Sequence, residues 1–326
     1  MLRRRRTLAR PTLFLVVFGL TSMAGLLAIA AVHLLLASRD VLAPPPYVAT
    51  WCIDQKLDFL ARSDLEEVEL AAIGSSGAWR NLDMTVFVDD LGLNSINAAP
   101  CLLFASQTAY LAEYLLPRMP KLEVLVVSFL ARDFEQCVPE DEKFFDQRLL
   151  DFVSDGRLPR WLPYISGFRP MYLANFARAR AAGTGDVGIK IHEDGLGSAV
   201  MIEKFDWWPE LTLSDACYAH VTRLEELTQS RNVTLVLALA PNDPVWRAQR
   251  DPDGSILSDW QKKLRASVSS EVIFIDSAEL GFQSDRFADP YHLMHPNQIE
   301  FSRFIAGNLE TLPNNSAPES TLQPGG

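Results

Sequence analysis

Continuous apolar runs alternate along this chain with segments whose apolar residues recur at helical spacing. Val68 to Ile73, Leu122 to Phe129, Val233 to Ala240 and Val272 to Ile275 are short and almost uninterrupted by polar residues. Such runs read as strands buried on both faces. A further short strand takes in Leu93 to Ile96 and delivers Asn97 to a loop, which makes about five strands in all. The segments between them carry helical periodicity: Leu102 to Met119, which ends at Pro120; Ser214 to Ser230; Leu257 to Val268; and a helix from Asn297 to Leu309. Ile53, Leu57, Leu60 and Leu65 place one more helix before the first strand. Strands separated by crossover-length helical segments predict an α/β fold, with a mostly parallel sheet covered on both faces.

Two regions depart from this alternation. From Pro11 to Ser38 the chain is uncharged, and His33 is its only strongly polar residue. At about 1.5 Å per residue this run crosses a hydrocarbon core of roughly 30 Å. It exceeds the roughly 7–15 apolar residues of a cleaved signal sequence. Arg3 to Arg6 precede it, and the bias of basic flanks toward the cytoplasm predicts a single-pass anchor with the rest of the chain outside. The second region, about residues 134–212, is rich in Phe, Tyr, Trp and Arg and reads as an insertion, with helices near Glu142–Val153 and Pro170–Ala182 and a Gly-rich loop from Gly183 to Gly197. It is expected to form a lid, a substrate wall, a partner surface or a helical embellishment. The resulting organisation is a basic tail (1–10), an anchor (11–38), a Pro-rich linker (39–50), a globular domain (51–312) and a polar tail (313–326) expected to be disordered.

Charge sharpens this picture. Residues 1–37 contain five arginines and no acid, and subtracting them from 30 basic residues leaves 25 against 41 acidic ones, a formal charge of −16. Such a domain lacks the basic footprint of a nucleic-acid binder. The four cysteines, Cys52, Cys101, Cys137 and Cys217, show no CxxC spacing. Outside the cytoplasm one or two disulfides are permitted, Cys101 with Cys137 being one pairing, and four buried or free thiols are the alternative. No metal-ligand spacing and no phosphate-cradling Gly-rich loop occurs, so no cofactor is expected.

The chemistry concentrates in two stretches. Ile73-Gly74-Ser75-Ser76 ends the first strand on a tight turn, where an α/β sheet exposes reactive groups. Asp289-Pro290-Tyr291-His292 follows the last predicted strand and offers a base with its orienting carboxylate. Ser76 as nucleophile, His292 as base and Asp289 as orienter form a candidate triad; Ser75 and His295 are the rivals, and Asp83 and Asp133 read as solvated or capping groups. The backbone N–H of Ser76, the Asn97 side chain, or a backbone N–H of the Asn97–Ala99 loop can serve as oxyanion donors. The GxSxG elbow of ordinary α/β-hydrolases is absent.

These end blocks resemble those of the SGNH (GDSL-like) hydrolase superfamily, with Ser76 in the first block, Asn97 at the second and Asp289 with His292 in the last; the likeness spans roughly residues 68–310. The third block would fall at Ser128 to Asp133, which holds no asparagine. The resemblance implies a flavodoxin-like three-layer fold. With a membrane anchor and Gly-Ser-Ser in place of Gly-Asp-Ser, the chain is similar to envelope O-acylation proteins of the alginate O-acetyltransferase and teichoic-acid D-alanine transfer types. That implies acyl transfer, acetyl foremost, through an acyl-Ser76 intermediate to an extracytoplasmic (periplasmic) polysaccharide, beside a multi-spanning acyltransferase partner. An esterase that uses water as acceptor, and a non-catalytic glycan-binding or assembly module, are the alternatives.

Overall fold

The computed structural model describes residues 10–48, 50–157, 161–167, 169–183 and 191–311. The expected 313–326 tail lies outside them. Five helices come early: α1 (Arg10–Ala37), α2 (Trp51–Leu60), α3 (Ser76–Asn81), α4 (Met84–Leu91) and α5 (Ala105–Leu115). The strands are β1 (Leu70–Gly74), β2 (Ser95–Asn97), β3 (Val124–Phe129), β4 (Ile191–Glu193), β5 (Ala199–Met201), β6 (Thr234–Leu239), β7 (Ile273–Asp276), β8 (Phe287–Asp289) and β9 (His292–Leu293).

The main sheet has five parallel strands in the order β2-β1-β3-β6-β7. Counted along this sheet, the order is the 2-1-3-4-5 of doubly wound sheets. Direction reverses between β1 and β3. Right-handed crossovers then put α3 and α4 on one face and the helices of the later crossovers on the other. The packing agrees: α4 and α3 contact the final helix Asn297–Glu310, whereas α5 contacts Tyr218–Gln229. Every residue of β1 is buried, as are all of β3 and β6 but their first, which explains their uninterrupted apolar sequence.

Several boundaries differ from expectation. The helix expected from Leu102 begins at Ala105, because Leu102 takes a left-handed backbone and the loop before α5 faces a cavity. Val272–Asp276 is not the last strand: β8 and β9 form a small antiparallel hairpin after it. Another hairpin, β4–β5, occupies part of the stretch expected as Gly-rich loop.

The cysteines correct the pairing considered above. Cys101 bonds Cys52 and Cys137 bonds Cys217, so Cys101–Cys137 does not occur. The first bridge ties α2 to the loop before α5. The second joins the two ends of the insertion at its base. Closing loops of 49 and 80 residues removes unfolded-state entropy equivalent to about 4 kcal/mol for each bridge.

Candidate active site

The reversal between β1 and β3 is where a doubly wound sheet opens a crevice at its strand ends. Gly74 closes β1 with φ +139°, and a Cβ there would lie 2.4 Å from Ser128 O of the neighbouring strand. Only glycine permits this turn, and α3 starts immediately after it. Ser75 is the N-cap: its Oγ accepts from Gly77 N (3.4 Å), and its hydroxyl lies close enough to Asp133 to pull that carboxyl's pKa down. Ser75 is 1% exposed and committed to this structure. Ser76 is the first residue of α3, half-buried, and lines a cavity of about 340 Å³. Its backbone N–H, at a helix start, has no intramolecular acceptor among the described residues.

The Asp289–His292 stretch reaches the same cavity from the β8–β9 hairpin. The Asp289 carboxylate accepts from Tyr291 N (2.9 Å), His292 N (3.0 Å) and His292 Nδ1 (2.7 Å to Oδ2). The three-residue spacing is therefore a tight turn wrapped around one carboxylate. Burial pushes the Asp289 carboxyl up, but the His292 ring, these hydrogen bonds and the Arg80 charge outweigh it and hold the group below the usual carboxylate range. An ionised Asp289 fixes the proton of a neutral His292 ring on Nδ1. That leaves His292 Nε2 as the acceptor, and it is buried with no partner among the described residues. No hydrogen bond joins Ser76 Oγ to it.

Residues not singled out in the sequence hold this arrangement. Asn81, fully buried at the end of α3, donates from Nδ2 to Tyr291 O (2.8 Å) and accepts at Oδ1 from Leu293 N (2.8 Å). It thereby clamps the backbone on both sides of His292 to the helix that begins at Ser76. Replacing Asn81 with Ala leaves a buried N–H and C=O without partners. The expected cost is about 2–4 kcal/mol of stability together with an activity loss that exceeds the loss of folded protein. Denaturant unfolding and kcat measured on the same preparation check both.

Asn97 does not line the cavity. Its Nδ2 donates to Ala78 O (2.9 Å) and Ser198 Oγ (3.1 Å), and its Oδ1 accepts from Ala99 N (3.0 Å). The N–H groups of Asn97 and Ala98 are bonded to Leu196 O and Ala72 O. All the donors weighed on this loop are thus spent within the fold, leaving Ser76 N–H as the donor in place. Buried Lys56 reinforces the same junction by donating to Asn97 O (2.7 Å) and Gly197 O (2.5 Å), and burial brings its ammonium down to about 7. His295 also lies away from the cavity, with Nδ1 against Gln298 Nε2 (2.9 Å). Asp83 caps α4 through Thr85 N (3.2 Å).

The cavity wall is largely apolar. Leu102, Leu103 and Phe104 come from the loop held by the Cys52–Cys101 bridge, and Phe205 and Trp207 from the end of the insertion. The Arg132 guanidinium lies 4.5 Å from the Trp207 ring centroid and 3.6 Å from a Glu135 oxygen. Arg80, also at the cavity, is nearly buried beside Trp79. Asp133, expected as a solvated or capping group, is 3% exposed and accepts from Leu130 N (2.9 Å).

Burial pushes the Asp133 carboxyl up to about 7, against the hydrogen bonds from Ser75 and Leu130. Between the unfolded value near 3.8 and about 7 the folded protein keeps a proton that the unfolded chain has lost. Stability therefore falls as pH rises through that window, then levels off with respect to this group. Asp133→Asn is expected to remove that decline. Unfolding of both proteins across the window measures it, and the difference between them isolates Asp133 from other titrations.

Comparison with known proteins adds no assignment: no protein-family model matches this chain, and no curated protein matches it at a significant level.

Proposed function

We propose that this chain is a membrane-anchored serine O-acyltransferase of SGNH type, acting on a polysaccharide hydroxyl outside the cytoplasm. One observation carries the reading: the buried, unpartnered Nε2 of His292 shares a cavity with the Ser76 hydroxyl, while the Nδ1 side of the same ring is held by an ionised carboxylate. The strand order and the chain order serine, then aspartate, then histidine are consistent with the resemblance noted in the sequence.

The chemistry follows from the atoms. Ser76 Oγ attacks the carbonyl carbon of an acyl donor, and its proton passes to His292 Nε2. The carbonyl oxygen becomes an oxyanion opposite the Ser76 N–H. As the bond from carbonyl carbon to leaving group breaks, the imidazolium returns the proton to that group, leaving acyl-Ser76. An acceptor hydroxyl then attacks the ester and gives its proton to His292. Ser76 Oγ departs and recovers a proton from the imidazolium. Asp289 stays ionised and stabilises the imidazolium in both halves.

Two features bear on setting. α1 is long and apolar enough to span a membrane. The two disulfides suit an oxidising compartment. A multi-spanning acyltransferase beside α1 would supply the acyl group.

Esterase activity is the second reading, favoured by the partial exposure of Ser76, which lets water reach an acyl-enzyme. Incubating the purified full chain with an acetyl ester and a panel of polysaccharides separates the two. Transfer predicts acetyl esters on a glycan at the expense of free acetate. Acetate alone, at a rate unaffected by any glycan, would favour the esterase.

A further inference from the structure

The insertion carries an apolar surface that the catalytic reading leaves unused. On α1, Ile29, His33 and Leu36 are partly covered, whereas most of the helix is bare. Their spacing puts them on one helical face. His33 meets Tyr164 of the insertion edge to face, with ring centroids 5.1 Å apart, and the Tyr164 hydroxyl bonds Ala43 O in the linker. Tyr164 packs with Ala43 and Leu173 in a small core separate from that of the domain. The insertion helix Leu162–Ser166 thus meets the C-terminal end of α1 through Tyr164, and Pro170–Ala181 packs on that helix and the linker through Leu173.

These helices leave large apolar side chains in the open: Trp161 is 57% exposed, Ile165 54% and Met171 66%. Trp161 and Ile165 are four residues apart, neighbours on the surface beside buried Tyr164, which meets α1.

Height along the membrane helix gives this surface its meaning. The apolar span Pro11–Ala37 has 27 residues. At about 1.5 Å each it measures about 40 Å, whereas a hydrocarbon core needs roughly 30 Å. His33, near the C-terminal end, then lies at the layer of lipid headgroups, and Tyr164 with its exposed neighbours lies there too. Tryptophan and tyrosine favour that layer. Charge points the same way. Residues 148–183 contain six arginines and two aspartates, whereas the chain beyond residue 37 carries −16 overall. Arg169, Arg178 and Arg180 are exposed. Basic side chains beside an apolar surface suit anionic headgroups.

We propose that Trp161 and the insertion helices Leu162–Ser166 and Pro170–Ala181 form a foot that rests in the bilayer interface around the C-terminal end of α1, with Trp161, Ile165 and Met171 entering the boundary between headgroups and acyl chains. The foot gives the domain a second, non-spanning attachment that restricts its tilt about the linker. This inference depends on α1 lying in a bilayer and is independent of the acyl-transfer chemistry.

The test uses the full chain reconstituted in vesicles of phosphatidylcholine and phosphatidylglycerol, with and without bromine near the upper part of the acyl chains. Bromolipid is expected to quench part of the tryptophan emission. Trp161→Phe should lose most of that quenching and Trp208→Phe should keep it. Ile165→Asp, which retains Trp161, should reduce it. Unchanged melting temperatures show that the variants are folded. Quenching that survives Trp161→Phe undiminished, or none in protein that floats with the vesicles, overturns the foot. Protein that does not float with the vesicles overturns the insertion of α1 on which it depends.

Discussion

Ser76→Ala is expected to lower ester turnover by about 10³-fold or more while leaving the fold intact. Ser76 begins α3 without serving as its cap, because Ser75 does that with its own hydroxyl. Removing one oxygen from a half-buried position therefore costs little stability. It does remove the atom that must form the acyl bond, and among the described residues the other serine lining the cavity, Ser75, is 1% exposed and occupied as the cap of α3. Ser75→Ala should behave in the opposite way. It loses the cap, worth about 1 kcal/mol, and changes kcat far less than Ser76→Ala does. Steady-state kinetics on a chromogenic acetyl ester, with unfolding curves for each protein, distinguish these patterns. Equal losses from the two substitutions would count against Ser76 as the unique nucleophile.

The second large effect is expected at Asp289. An asparagine can still accept the N–H groups of Tyr291 and His292 through one oxygen, so the hairpin survives. Its NH₂ would then face His292 Nδ1, which must become an acceptor. The ring proton moves to Nε2, and the base loses the lone pair that receives the serine proton. Asp289→Asn should reduce kcat by about 10²–10⁴-fold with a much smaller change in KM. A loss below about tenfold would mean that the carboxylate does not set the tautomer of His292. The variant also removes a buried carboxylate that the Arg80 charge helps to keep ionised.

How far the sequence alone discloses this site depends on the range of the interactions. β1, β3 and β6 lie where continuous apolar runs predict them, because a strand covered on both faces has no polar position to interrupt the run; β7, at the sheet edge and mostly half-buried, also lies on its apolar run. The pair Asp289 and His292 is local, three residues apart on one turn, and spacing alone exposes it. Asn81 is different. Its partners are 210 and 212 residues away, and in sequence it is one polar residue at the end of a short segment. Lys56 likewise sits among the polar positions of an amphipathic helix, and only the fold brings Asn97 O and Gly197 O to its ammonium. Disulfide pairing follows topology rather than spacing, which is why Cys101 could be set against the wrong partner. Asn97 shows the reverse limit: its block resemblance is visible in sequence, but the commitment of its amide to Ala78 and Ser198 is not. Asp133 reads as a solvated or capping group; its capping of Leu130 N is local, but its near-complete burial is set by the fold.

The most direct measurement is the intact mass of the full chain, quenched during turnover of an acetyl ester, with Ser76→Ala in parallel and peptide mapping of any adduct. A population heavier by one acetyl group is expected, with the modification on Ser76 and absent from the variant. Asp289→Asn is expected to accumulate this species more slowly. An adduct on another residue, or turnover that persists undiminished in Ser76→Ala, would contradict the assignment of Ser76 and His292 as nucleophile and base.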